Sequence, residues 1–184
     1  MALRRLTLLA CTALAAVGIA ACGNDEKQGV DAPAREGLSI PMGGLNYNVF
    51  ITRQLNPAIT PDKAYYEGPE PGPEDTLYGV FIRVCNTTGE SHPSASDFVV
   101  TDSQGNKFEP TELPEDNPFA YHPEDLPANE CIPADGSVAQ LGPTAASMLL
   151  FKFPLRNTEN RPLELEVENP SGGSPRSLRF VLDL

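Results

Sequence analysis

The chain has 184 residues, with 25 Asp and Glu against 13 Lys and Arg and a formal net charge of −12 at pH 7. That balance excludes binding to nucleic acid or to an anionic membrane by general attraction. No Trp, 19 Pro and 15 Gly argue against a helical bundle and for short strands joined by punctuated loops.

The N-terminal residues carry an address. Arg4 and Arg5 form a basic head, an uncharged apolar run extends from Leu6 to Ala20, and small residues close it at Ala20-Ala21. That order is a secretory signal. An uncleaved transmembrane helix is the alternative, but Leu6 to Cys22 spans 17 residues, the lower limit for crossing a bilayer, and its second half is Ala-rich. The stretch "IAAC", Ile19 to Cys22, resembles the bacterial lipobox. The resemblance implies a signal peptide over residues 1–21, cleavage before Cys22 and lipid on the Cys22 sulfur. Two or three acyl chains, each contributing about 0.8 kcal/mol per buried CH₂, would make a stable anchor on the extracytoplasmic face of the cell membrane.

Removing residues 1–21 takes Arg4 and Arg5 with it, leaving 163 residues and a net charge of −14. That length suits one domain with a real core. Cys11 leaves with the signal and Cys22 is occupied by lipid, so Cys85 and Cys131 remain, an even pair in an oxidising setting. A disulfide between them closes a loop of 46 residues, for which the chain-entropy model gives about 4 kcal/mol. A redox or metal-binding thiol pair is the competing reading. No Cys-x-x-Cys occurs, and neither cysteine has a neighbouring His in sequence.

Residues 22–37, "CGNDEKQGVDAPAREG", are polar and aperiodic and are expected to form a flexible tether. From residue 38 to 184 the dominant signal is alternation with period two. It places Leu45, Tyr47, Val49 and Ile51 on one face, then Tyr78, Val80, Ile82 and Val84, with Phe81, Arg83 and Cys85 opposite. "SDFVVTD" and the turn "DSQGNK" follow, then "SVAQLG" as a further short strand. Leu149, Phe151, Phe153 and Leu155 share the next face. "PLELEVEN" puts Leu163, Leu165 and Val167 inward, and "SLRFVLDL" closes with Leu178, Phe180 and Leu182. The expected fold is all-β: an antiparallel sandwich of seven to nine strands, with a small barrel as the alternative.

The order "LYGVFIRVCNTTG", "FVVTDSQGNKFEP", "IPADGSVAQLG", "LLFKFPL" and "LELEVEN" resembles a group of immunoglobulin-like domains of Gram-positive and actinobacterial exported proteins. These sit behind signal or lipoprotein leaders. The matching positions are Asn86 at a strand end, Asp102 and Gly105 in an Asp-x-x-Gly turn, Pro133 and Gly136 in a loop, and Phe151 to Pro154 in a later strand. The similarity covers about residues 40–184 and rests on strand and turn chemistry. It implies an immunoglobulin-like architecture and an exported location, and it brings no biochemical activity.

Chemistry-bearing residues are sparse. His92 and His122 each precede a proline and are expected on loops; Ser91-His92 lacks the Gly-x-Ser-x-Gly elbow of a hydrolase. Met42, Met148 and the two histidines are too scattered to suggest a copper or zinc site. The unusual feature is acidic. From Phe108 to Phe151 there is no Lys or Arg, but Glu109, Glu112, Glu115, Asp116, Glu124, Asp125, Glu130 and Asp135 are present among seven prolines. The expectation is a solvated, proline-stiffened loop whose carboxylates point apart; a surface for a basic protein partner and a Ca²⁺ site are the alternatives. The function read from these residues is a membrane-anchored, non-catalytic interaction or accessory module with no cofactor and no metal. The alternative is a lipoprotein binding a small ligand or a Ca or Cu ion.

Overall fold

The structure, a computed structural model, describes residues 26–183. The expected signal peptide, Cys11 and the lipidation site Cys22 lie outside the described residues.

The chain forms β1 (Ala34–Arg35), β2 (Ser39–Met42), β3 (Leu45–Leu55), a short helix α1 (Asp62–Tyr65), β4 (Asp75–Asn86), β5 (His92–Pro93), β6 (Phe98–Thr101) and β7 (Lys107–Phe108). Then come β8 (Asp125–Leu126), β9 (Cys131–Ile132), α2 (Val138–Leu141), β10 (Ser147–Pro154), a 3₁₀ turn at Leu155–Glu159, β11 (Leu163–Glu168) and β12 (Ser177–Leu182). One sheet has the order β1-β12-β11-β6-β7; the other has β10-β4-β3-β2, with β9 also on β4. Apart from β1 on β12, the pairings of these strands are antiparallel. The protein is an all-β sandwich, and seven strands of four or more residues lie among the described residues.

The alternating residues build the core. Tyr47, Val49, Val80, Ile82, Val84 and Phe151 from one sheet meet Val100, Leu163, Leu165, Val167, Leu178 and Phe180 from the other, all buried. Each such side chain contributes about 1.5–3 kcal/mol on leaving water. The outward glutamates of β11 alternate with these, which fixes its register, since a one-residue slip would turn every apolar group to solvent.

Four expectations are corrected. Ile51 is 41% exposed and Thr52 buried, because a register irregularity between Val49 and Ile51 on β3 shifts the alternation by one. Leu155 is exposed because the strand ends at Pro154 and the chain turns into the 3₁₀ segment. "SVAQLG" is the short helix α2 and not a strand: the Ser137 hydroxyl accepts from the Gln140 amide as an N-cap. The flexible tether does not reach residue 37. Gly29 and Ala32 bond to each other, the Gly29 carbonyl accepts from the Arg179 amide, and Ala34, fully buried, starts a strand parallel to β12. The open edge of β12 offers these residues backbone partners that their composition does not advertise.

A second apolar layer lies on the other face of β4. Tyr65, Phe81, Phe119, Met148 and Leu150 pack together there, with Tyr65 edge-on to both Phe81 and Phe119 at 5.0 and 4.8 Å. The acidic, proline-rich segment supplies Phe119 and Ala139 to this layer. Its eight carboxylates are exposed, as expected, but the segment is also a cover with a packed inner side.

Candidate functional site: an acidic cleft at the sandwich edge

The cover is hung on the free edge of β10. The Thr111 amide donates to the Leu150 carbonyl at 2.6 Å, the Met148 amide to the Phe119 carbonyl at 2.6 Å, and the Tyr121 amide to the Met148 carbonyl at 3.0 Å. Prolines interrupt this pairing because they bring no N–H, so the contact stays at isolated bridges. Asn117 fixes the bend between them: its side-chain amide donates to the Tyr65 carbonyl and its oxygen accepts from the Phe119 amide, both at 2.9 Å.

Between this segment, β6 and β10 lies a cleft of about 540 Å³. Phe98, Tyr121, Met148, Leu149 and Leu150 contribute apolar lining, and all are buried. Asp97, Glu109, Glu112 and Glu115 stand at its exposed margin with His122; no Lys or Arg lines it. Three carboxylates of the acidic segment line this opening with Asp97. They do not form a metal centre: among the described residues no group of three or more His, Cys, Asp or Glu is placed to hold an ion.

One wall is braced from inside the sandwich. The Tyr121 hydroxyl donates to the Ala95 carbonyl at 2.9 Å, and the Ala95 amide donates to the Tyr47 hydroxyl at 3.0 Å. Phe98 meets Tyr121 edge-on with ring centroids 5.2 Å apart. Burial is the main reason the Tyr121 phenol is held well above the ordinary range, and it raises Tyr47 as well. Both stay neutral donors and acceptors at physiological pH.

Ser96, Asp97 and His122 all line the cleft, but their bonding is not that of a nucleophile and its base. The Ser96 hydroxyl donates to Asp97 Oδ2 at 2.9 Å. An activated serine instead donates to an imidazole that a third group orients. His92 is far from this arrangement in role: its Nε2 is 3.0 Å from the Thr88 hydroxyl, and the adjacent Ser91 hydroxyl donates to the Leu126 carbonyl at 3.3 Å.

The remaining singled-out residues are structural hubs. Cys85 and Cys131 are bonded, on adjacent strands of one sheet, with Cα atoms 4.1 Å apart. The bond fixes the end of the acidic segment to β4 and does not cross the core. The Asn86 side-chain amide donates to the Glu90 and Leu126 carbonyls, while its oxygen accepts from the amide and hydroxyl of Thr88. Asp102, buried, accepts from the amides of Gln104 and Asn106 and from the side chains of Asn106, Asn157 and Asn160. Burial works against its ionisation, but the bonds from Asn106, Asn160 and Asn157 outweigh it and hold the carboxyl well below the usual range. Sequence reasoning located Asp102 in a turn but missed its partners, because two of them come from the 3₁₀ region more than fifty residues later.

Solved structures share the architecture. The yjhA protein from Bacillus subtilis is similar with a TM-score of 0.52 and 12% sequence identity, covering 82% of this chain and 100% of that chain. At that identity the likeness shows a common sandwich fold. A second, described as a "putative lipoprotein (ycdA)" from Bacillus subtilis subsp. subtilis strain 168, aligns with a TM-score of 0.48 and 17% identity over 79% of this chain and 38% of its own. No family model and no curated protein matches the chain.

Proposed function

We propose that this chain is an exported bacterial lipoprotein whose immunoglobulin-like sandwich acts as a non-catalytic interaction module. It is held by lipid on Cys22 at the extracytoplasmic face of the cell membrane. The basic head, apolar run and lipobox-like "IAAC" at the N-terminus support the anchor. Two antiparallel sheets packed face to face support the immunoglobulin-like reading.

The observation that carries the role is the cleft: an apolar floor under four carboxylates with no cation among its lining residues. Such a site fits a protein segment that presents Lys or Arg beside an apolar side chain. The apolar group would fill the floor and the cations would meet the rim. The spent Ser96 hydroxyl argues for binding without bond cleavage.

Fluorescence titration with a peptide alternating Lys and Leu tests this, against a Glu-Leu peptide of equal length. Salt-sensitive binding of the basic peptide, lost in Glu109→Lys/Glu112→Lys, is expected. Equal binding of both peptides would refute a basic partner.

A further inference from the structure

A second pocket, of about 610 Å³, lies between the β6–β7 turn and the 3₁₀ segment. In so acidic a chain its charged lining is basic: Lys107 and Arg156 face it, and no carboxylate lines it. Neither cation forms an ion pair among the described residues.

Behind the pocket sits Asp102. The NH₂ groups of Asn106, Asn157 and Asn160 donate to its Oδ2 at 2.8, 3.1 and 2.9 Å. An amide held by its nitrogen has its oxygen left as an acceptor. The Asn160 oxygen is taken by Gln104 at 2.9 Å. The side-chain oxygens of Asn106 and Asn157 accept from no donor among the described residues and are open to solvent at the pocket. The buried carboxylate thus orients acceptors that nothing in the protein uses. Phe108 adds a ring to the same lining, held edge-on by Phe153 with centroids 4.8 Å apart.

We propose that this pocket binds a carboxylated sugar of the hexuronate type. A simple anion would use Lys107 and Arg156 but leave the amide oxygens to water. A neutral sugar would use the oxygens but leave both cations unpaired. A hydroxylated carboxylate satisfies both sets: its carboxylate meets the Arg156 guanidinium and the Lys107 ammonium, and its hydroxyls donate to Asn106 and Asn157. The volume falls within the range of small-ligand sites.

The test is NMR titration of the full-length mature chain carrying Cys22→Ser, with trigalacturonate, neutral maltotriose and inorganic phosphate as separate probes. Trigalacturonate is expected to shift the backbone amides of Lys107 and Asn157 and to bind at least tenfold more tightly than either other probe. Lys107→Gln/Arg156→Gln, both exposed positions, should weaken it at least tenfold while the thermal midpoint holds. Phosphate or maltotriose binding as tightly as trigalacturonate would overturn the proposal. So would no trigalacturonate binding at millimolar concentration, or binding unchanged in the double variant.

Discussion

Cys131 stands directly across from Cys85 on the neighbouring strand, and the disulfide between them anchors the far end of the acidic cover to β4. The Asn86 amide, donating to the Glu130 carbonyl at 2.8 Å, strengthens the same junction. The bond lies within one sheet, so the sandwich core does not depend on it for packing. Cys85→Ala/Cys131→Ala should therefore lower stability by up to about 4 kcal/mol through the unfolded chain, with the core retained. Chemical denaturation gives the loss, and amide exchange should show extra opening around β9 before β11. Uniform loosening of both sheets would contradict this placement.

Asp102 sets an acid limit. Its folded-state pKa is depressed below the unfolded value of about 3.9. Its contribution is therefore fully present above that value and is lost as pH falls through the folded one. Asp102→Ala should leave the amides of Asn106, Asn157 and Asn160 without their acceptor and cost about 3 kcal/mol. It should also flatten the fall in stability below about pH 4. A wild-type acid limb that survives in Asp102→Ala would show that another carboxylate sets it.

Tyr121 and Tyr47 brace the cleft through Ala95. Tyr121→Phe keeps the ring against Phe98 and removes the bond to the Ala95 carbonyl, at an expected cost of about 1–2 kcal/mol. Because the folded pKa of Tyr121 is raised, the associated stability is present below the unfolded value of about 10 and declines as pH rises above it. Ultraviolet titration should show tyrosines that ionise together with unfolding. Ionisation of all five in the native state near pH 10 would contradict the burial.

Gly79 sits where β4 passes Phe81 and Met148. A Cβ there would stand 2.9 Å from a Phe81 ring carbon and 3.0 Å from the Met148 sulfur. Gly79→Ala should therefore overpack the second apolar layer and cost about 1–3 kcal/mol. A neutral effect on the melting midpoint would mean the layer is looser than its contacts indicate.

The long strands were legible because each buries one face: Leu163, Leu165 and Val167 alternate with glutamates that solvent accepts. β4 is different. "TLYGVFIRV" is apolar on both faces, and such a run signals a strand covered on both sides. Phe81 and Leu77 were the clue that something must lie over them, and Phe119 and Ala139 within the acidic segment were the pieces to do so. Charge count alone made that segment look solvated. The β3 irregularity at Ile51 left no mark in composition. α2 did leave one, since Ser137 and Gln140 have the spacing of a helix start, yet the apolar alternation masked it. The cleft was legible only as an excess of carboxylates, because Met148, Leu149 and Leu150 of its floor come from β10, more than thirty residues after Glu112.

If the acidic cleft holds a basic partner at the cell surface, as proposed, that partner is within reach of a crosslinker placed at the cleft. Photo-crosslinking in the producing cells tests it most directly, with a photoreactive residue at Glu112 in the cleft or at the exposed Ser39 on β2, the opposite edge of the β10-β4-β3-β2 sheet. The expected result is an adduct from position 112 that disappears when Glu109 and Glu115 are changed to Lys, with none from position 39. No adduct from position 112, or equal adducts from both positions, would contradict it.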